Sequence, residues 1–348
     1  MQLGPYTLPN NVFAAPMAGV TDRPFRQLCR QLGAGYVVSE MVAANPLLWK
    51  SGKSMKRIAH LDETEPRVIQ MTGADPQMMA DSARYHVEQG AQIIDINMGC
   101  PVKKVCNNWC GSALLQDEKR VAAILDAVVK AVDVPITLKY RTGWNRENKN
   151  AVKVAQMAES IGIAMLTLHG RTREDAYRGN AEYETIAQVK KTVAIPVVAN
   201  GDIDSPEKAQ KVLEMTGADA IMIGRAAQGK PWIFREITHY LQTGKRMPEP
   251  SVEEAHRLIR QHLLEHYAFH GEIVGVRSAR KHIGWYINNL PNSEAFKKQI
   301  NQIESCEAQL RNVDVFFESQ LKYGEKLQYS KHTQKLIYPD ADFSQTRQ

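Results

Sequence analysis

The sequence predicts an α/β chain, a (β/α)8 TIM barrel followed by a smaller C-terminal all-α helical bundle, and three observations carry that expectation. Eight short runs rich in Val, Ile, Leu and Met recur along the chain: "VFAAPMAG" (12–19), "YVVSEM" (36–41), "RVIQMTG" (67–73), "IIDINMG" (93–99), "PITLKY" (135–140), "MLTLHG" (165–170), "PVVANG" (196–201) and "AIMIG" (220–224). Their length and near-continuous apolarity are those of strands covered on both faces. Amphipathic segments lie between them, among them "DEKRVAAILDAVVKAV", "KNAVKVAQMAESIG" and "SPEKAQKVLEMTG". Polar residues collect where the runs end, as they do on the catalytic face of a barrel: Met17, Glu40, Gln70, Asn97 with Cys100, Lys139 with Arg141, His169 with Arg171, Asn200 with Asp202, and Gly224 with Arg225. An open doubly wound sheet ranks lower, because no GxGxxG follows the first run.

At 348 residues the chain exceeds what a single core usually fills, so a second domain is expected. The barrel is assigned to 1–241 and a Pro-containing linker to 242–251. From 252 to 322 the period becomes helical, with Leu258, Ile259, Leu263 and Leu264 on one face of one helix. Phe296, Ile300, Ile303, Leu310, Val313 and Phe317 follow in another, with one gap. The polar, aperiodic stretch 323–348 is expected to be a poorly ordered tail.

Hydrophobic content of 43% against 24% charged residues suits a globular core, and a net charge of +6 is compatible with an anionic partner. No apolar leader or run of about 18 apolar residues is present, so no membrane span and a cytoplasmic location are expected. Five irregularly placed cysteines argue for a reducing compartment. Cys106 and Cys110 lack CxxC spacing and are assigned to packing, with no metal expected.

The chemistry is read from the run ends. Gly201, Gly224 and Arg225 lie in the last two loops, where barrels hold phosphate through backbone N–H groups. Lys139 ends a run that otherwise reads as core, and a lysine facing the interior needs an anion or carbonyl there. Either the N1–C2=O edge of a reduced flavin or a Schiff-base substrate answers that need; an ion-paired lysine is the plainer alternative. Gln70 can both donate and accept, as the N3–H and O4 edge of an isoalloxazine requires, and His169 is a plain donor. In "DINMGCPVKKV", Gly99 frees the turn and Pro101 keeps Cys100 out of a helix, so the thiol is displayed at the strand end. A thiol titrating near about 8.5 is a proton donor at neutral pH.

Four basic segments carry aromatics: Lys103 and Lys104 beside Cys100, Arg141 with Trp144, Arg171 with Arg173, and Arg277, Arg280 and Lys281 in "GVRSARKHIGWY". The last three stand at i, i+3 and i+4, one face of a helix. Phosphate contacts combined with stacking platforms are what RNA-binding surfaces use, although a charged helix face is often only solvated.

The segments "APMAGVTDRPFR" (15–26), "VSEM" (38–41), "QMTG" (70–73), "DINMGCPVKKV" (95–105), "LKYRTGW" (138–144), "LTLHGRT" (166–172), "VVANGDI" (197–203) and "IMIGRAAQGKPWIF" (221–234), together with "ARKHIGWY", resemble those of tRNA dihydrouridine synthases, most of all the bacterial B type. The resemblance spans roughly 1–320. It implies a monomeric enzyme that binds FMN, takes its electrons from NADPH and reduces the C5–C6 double bond of a D-loop uridine, at position 17, in tRNA. It implies that Pro16, Met17 and Ala18 line the flavin and that Gln70 and Lys139 hydrogen-bond its ring. Asn200, Gly201, Asp202, Gly224 and Arg225 would hold its ribityl chain and phosphate, with His169 in support. Cys100 becomes the catalytic proton donor and Asn97 a substrate contact. Cys106, Cys110 and the tail depart from the family pattern. A dihydroorotate dehydrogenase-like reductase of free pyrimidines, a Schiff-base aldolase using Lys139 and a non-catalytic tRNA-binding protein are the competing readings.

Overall fold

The computed structural model describes residues 1–49, 51–57 and 60–329; residues 330–348 of the expected tail lie outside the described residues. A hairpin of two short strands, β1 (Gln2–Leu3) and β2 (Tyr6–Thr7), comes first. Its Leu3, with Leu8 just beyond, packs on Val68, Ile93, Met165, Val198 and Ala220 and so plugs the N-terminal end of the barrel.

The barrel strands are β3 (Val12–Ala14), β4 (Tyr36–Val37), β5 (Val42–Ala43), β6 (Val68–Thr72), β7 (Ile93–Met98), β8 (Ile136–Arg141), β9 (Met165–His169), β10 (Val197–Asn200) and β11 (Ala220–Ile223). All pair in parallel, in the order β4-β3-β11-β10-β9-β8-β7-β6-β5. The two ends of that series, β4 and β5, are halves of a single passage of chain, so the ring is closed and eight-fold. The expected run 36–41 is therefore interrupted. At the break the Ser39 N–H still donates to Val68 O (3.1 Å), but the Ser39 hydroxyl, not a main-chain carbonyl, accepts the Gln70 N–H (3.0 Å). The first run is also shorter than expected: Pro16 has no N–H to give a ladder, and Met17 turns back to accept from Val20 and Thr21.

The helices around the ring are α1 (Arg23–Gln31), α2 (Gly52–Met55), α3 (Pro76–Glu88), α4 (Lys103–Cys106), α5 (Glu118–Val129), α6 (Ala151–Ile161), α7 (Glu184–Thr192), α8 (Pro206–Thr216) and α9 (Ile233–Thr243). Side chains of Asp22, Asp75, Asp117 and Ser205 cap α1, α3, α5 and α8, and left-handed Gly162, Gly217 and Gly244 end α6, α8 and α9. The second βα unit breaks the regular pattern, since α2 is a single turn in a segment with no apolar repeat. Helix α10 (Val252–His270) comes over it instead, with Phe269 beneath the Lys56 ammonium, 5.7 Å from the ring centroid.

Helices α11 (Glu272–Tyr286), α12 (Ser293–Ile300) and α13 (Cys306–Gln320) complete the helical region. The gap in its apolar repeat is a true break between α12 and α13, where Ser305 caps the new helix. Leu264 does not share the buried face of α10: it is 44% exposed, and His262 and His266 are buried there with Leu258, Ile259 and Leu263. The core of this region also takes in Leu28, Leu32 and Trp232 from the barrel. The start of the expected tail is ordered, because Val252 donates to Glu325 O (2.8 Å), Lys326 bridges Ser251, and Leu327 is buried in the helical core. Among the described residues no helix is long and apolar enough to cross a membrane.

Barrel and helical region touch at backbone level. Gly229 has φ +72, and a Cβ there would lie 2.3 Å from the Trp285 carbonyl oxygen and 2.8 Å from the Tyr286 nitrogen. Gly229→Ala is expected to destabilise the fold by about 3 kcal/mol, read from chemical denaturation. An unchanged midpoint would show that the two surfaces yield easily at this point.

Candidate active site

The parallel register places alternate residues of neighbouring strands inside the ring: Gln70 is level with Asp95, Asp95 with Thr137, and Asn97 with Lys139. Inside, Asp95 accepts from the Thr137 hydroxyl (2.5 Å) and the Gln70 Nε2 (2.7 Å). The Gln70 Oε1 accepts from the Asn97 Nδ2 (2.8 Å), and the Asn97 Oδ1 accepts the N–H groups of Gly99 (3.1 Å) and Cys100 (3.0 Å). A chain of hydrogen bonds thus runs from a carboxylate within the barrel to the backbone that presents the thiol. Burial raises the Asp95 carboxyl to about 6, against the opposing pull of Thr137, Gln70 and Lys139.

The far side of the thiol loop is held as firmly. Ser112 donates to the Cys100 carbonyl (2.8 Å), and the Arg141 Nε donates to Gly99 O (2.7 Å). Gly111, at φ +62, lies so close that a Cβ would sit 2.8 Å from the Cys100 oxygen. Cys100 is partly buried, and desolvation pushes its thiol above the ordinary range, with the cations of Arg141 and Lys139 opposing. It is a protonated thiol at neutral pH.

Cations crowd the mouth. Lys139 donates to the Asn200 Oδ1 (3.0 Å), whose Nδ2 is tied to Met222 O (2.8 Å). Burial, then the neighbouring Arg141, lower the Lys139 ammonium to about 8. Arg171 forks onto both oxygens of Asp202 (2.9 and 2.7 Å), and Arg225 reaches the same carboxylate (2.9 Å). Asn200–Asp204, Met222 and Gly224–Ala226 form a crevice around these groups. Gly201, at φ +129, permits its floor, since a Cβ would come within 2.7 Å of Ala181 Cβ. Desolvation, then Arg141, Lys139, Arg171 and Arg225, hold the His169 imidazole well below its usual range. Four cations therefore gather against the buried Asp95 and half-buried Asp202, with exposed Asp204 at the edge of the crevice. A buried surplus of positive charge calls for an anion, and the crevice suits a phosphate while Lys139 and Gln70 suit the polar edge of a ring. The residues present fit a phosphorylated flavin.

The structure brings Cys100, Asn97, Gln70, Lys139, His169, Asn200, Gly201, Asp202, Gly224 and Arg225 to one end of the barrel, beside the turn of Pro16, Met17 and Ala18. Two residues of the basic segments expected to face RNA are turned inward instead. Arg141 is buried and spends its guanidinium on the carbonyls of Gly99, Thr172 and Ala176, and buried Arg171 serves Asp202. The face expected from Arg277, Arg280 and Lys281 is divided as well: Arg280 donates to Ile303 O (3.0 Å) and Lys281 to Gly19 O, while Arg277 is exposed. Lys103 and Lys104 are exposed next to the thiol loop, and Arg173 stacks on Trp144, 4.6 Å from the ring centroid. Cys106 is buried and its thiol lies 3.6 Å from the Cys100 carbonyl oxygen, whereas Cys110 is partly exposed.

Sequence reasoning missed Asp95 and Thr137, although both stand two residues before a residue it chose, on the same strand face. It also missed Tyr177, 43% exposed at the mouth, with the guanidiniums of Arg225 and Arg141 at 5.2 and 5.4 Å from its ring. No local pattern marks that residue. Removing the head of the hydrogen-bond chain by Asp95→Ala should leave the Gln70 amide without its acceptor, cost about 2 kcal/mol, and speed alkylation of Cys100 several-fold in peptide-resolved mass spectrometry. An unaltered alkylation rate would mean that the thiol loop is set by Ser112 and Arg141 alone.

Comparison with known proteins agrees with this geometry. Residues 13–322 match the family model described as dihydrouridine synthase. The tRNA-dihydrouridine synthase B of Pseudomonas aeruginosa is 60% identical over 324 residues, covering 93% of this chain and 98% of that protein. The tRNA-dihydrouridine synthase B of Xanthomonas campestris pv. campestris is 54% identical over 319 residues, covering 92% and 96%. Among solved structures, the histamine dehydrogenase from Rhizobium sp. 4-9 shares the fold at TM-score 0.52 and 11% identity, covering 94% of this chain and 64% of its own. The 6-hydroxypseudooxynicotine amine oxidase of Pseudomonas geniculata N1 does so at 0.52 and 14%, covering 71% and 49%. With a ring of strands displaying a tethered thiol above a cationic crevice, and with this extent of likeness, the chain belongs to the dihydrouridine synthase family.

Proposed function

We propose that this chain is a monomeric, cytoplasmic tRNA-dihydrouridine synthase of the B type, which binds FMN, is reduced by NADPH and acts on a D-loop uridine at position 17. The observation that carries the reading is the surplus of positive charge at the barrel mouth directly beside a protonated thiol. Arg225, held through Asp202 by buried Arg171, would bind the phosphate together with the backbone around Gly201 and Gly224. Asp202 orients both guanidiniums, and Asn200 and His169 border the ribityl path. Pro16, Met17 and Ala18 line one edge of the ring. Bound there, FMN supplies the hydride that C6 of the uracil receives.

The other steps belong to side chains of this protein. Lys139 would donate to the N1–C2=O edge of the ring and would offset negative charge there. Gln70 keeps one N–H and one lone pair beyond its bonds to Asp95 and Asn97, which is what the N3–H and O4 edge requires. Asn97 likewise keeps an N–H for the substrate carbonyl. The Cys100 thiol gives its proton to C5 as charge develops there. The base reaches this depth only when turned out of the tRNA. Exposed Lys103, Lys104 and Arg277, with half-buried Arg173 stacked on Trp144, are the cations nearest to solvent that would hold the flanking backbone.

Dihydrouridine in tRNA from cells lacking this gene, mapped by mass spectrometry, tests the activity and position together; an unchanged position 17 would end the assignment. Equal reduction of free uridine and of unmodified tRNA would instead favour a free-pyrimidine reductase. Cys100→Ala should keep its flavin and its NADPH oxidation yet form dihydrouridine at least about 100-fold more slowly. Product formed at the parental rate would remove the thiol from the proton step. FMN affinity of the flavin-free protein should hold below about pH 8 and weaken above it. Lys139 is charged below its pKa of about 8 and must take up a proton to bind at higher pH. Titrations that superimpose from pH 7 to 9.5 would place Lys139 away from the ring.

A further inference from the structure

The first barrel helix and the first two helices of the helical region meet in a buried cluster of imidazoles. Asp22 caps α1, its Oδ1 accepting the Phe25 N–H (3.1 Å). Its Oδ2 faces His270 Nε2 at 2.7 Å and His266 Nδ1 at 3.2 Å. His262, one turn before His266, and His282 of α11 complete the group. The ring centroids of His262 and His282 are 5.0 Å apart and those of His266 and His282 5.3 Å. Asp22, His262, His266 and His282 are all less than 5% exposed. The Nε2 atoms of His262 and His282 have no hydrogen-bond partner among the described residues.

Counting protons identifies what the cluster lacks. The Ser278 hydroxyl donates its one hydrogen to Val274 O (2.6 Å), so at 2.7 Å it accepts from His266 Nε2, which must carry a proton. A neutral His266 then turns its Nδ1 lone pair toward a carboxylate oxygen, and the two repel unless a positive centre lies between them. His262 meets the Tyr286 hydroxyl through Nδ1 (2.9 Å), which leaves Nε2 as its inward donor. One donor atom each from Asp22, His262 and His266 lies within 4.8 Å of the others. The 3.2 Å between Asp22 and His266 matches the edge, about 3.3 Å, of a tetrahedron of ligands at zinc's distance of about 2.0 Å.

We propose that Asp22 Oδ2, His266 Nδ1, His262 Nε2 and His282 Nε2 form a structural site for a divalent transition ion, with Zn2+ the one suited to this nitrogen and oxygen set. Asp22, His262 and His266 already offer one ligand atom each within 4.8 Å of one another, and closing the site requires the imidazoles of His262 and His282 to turn inward. Ser278 and Tyr286 already hold the outer nitrogens of two ligands, the arrangement that fixes tautomer and ring orientation in metal sites. The cysteine spacing that argues against a metal does not bear on this cluster, whose ligands come from helices far apart in sequence. The ion would fasten α10 and α11 to the loop after β3, which also borders the candidate active site.

The test uses holoenzyme purified without chelators. Elemental analysis should find about one zinc per chain. After chelator treatment, returning Zn2+ should raise Tm by about 5 °C, and Co2+ should give the visible bands of a tetrahedral ion. His262→Gln should abolish both responses. Where that variant does not fold, Tyr286→Phe keeps every ligand and should weaken Zn2+ binding about tenfold or more. Absence of metal from fresh enzyme together with no response to added Zn2+ or Co2+ would overturn the site and leave a proton as the charge shared with Asp22. Zinc binding of equal strength in His262→Gln or Tyr286→Phe would overturn it too, placing the ion elsewhere.

Discussion

A carboxylate held inside a closed ring of strands is the constraint from which the rest of the site follows. Asp95 cannot reach water, so its oxygens must be met by donors from neighbouring strands, and Thr137 and Gln70 are level with it in the parallel register. Once Gln70 donates to Asp95, its oxygen can only accept, which turns the Asn97 amide so that its own oxygen points toward the thiol loop. Each group has one arrangement left after its neighbour is satisfied. The position of Cys100 is thereby tied to the core of the barrel and not to the surface turn in which it sits.

The second feature is electrostatic. Placing Arg141 and Lys139 at the end of β8, Arg171 just beyond the neighbouring β9 and Arg225 beyond β11 concentrates charge of one sign in a place with little solvent. Asp202 and Asp95 compensate part of it. Burial first, and then this remainder, lower the His169 imidazole and the Lys139 ammonium, and the remainder makes the crevice receptive to an anion. Arg141 is also the mechanical link between the thiol loop and the segment at Thr172–Ala176, so the group that contributes to the field also fixes the loop the field acts on.

The helical region acts as part of the barrel mouth. It covers the one βα unit that has no full helix, its Trp285 backbone lies against Gly229, and Lys281 grips the Gly19 carbonyl in the turn that follows β3. Glu40, from the break between β4 and β5, accepts the Gly19 N–H (2.6 Å) and pairs with Arg57 (2.9 Å). The turn carrying Met17 is therefore held from both sides, by Lys281 on a carbonyl and by Arg57 through Glu40.

Much of this was legible in the chain itself. The apolar runs, the helical segments between them and the polar residues at their ends depend on patterns a few residues long, and burial rewards those patterns wherever the strand ends up. That is why Cys100, Lys139, Asn200, Gly201, Gly224 and Arg225 were identifiable as a group before any coordinates. What a guanidinium or a carboxylate does with its charge depends on groups from about 25 to about 250 residues away. Arg141, Arg171, Arg280 and Lys281 read as free cations in sequence and became internal braces in space. Tyr177 and the histidines facing Asp22 carried no local signature, because their partners come together only when the ring closes and the helical region docks on it. The order of the elements and the chemistry available to the site were determined locally by the sequence; which charges remain available, and for what, was decided by tertiary contact.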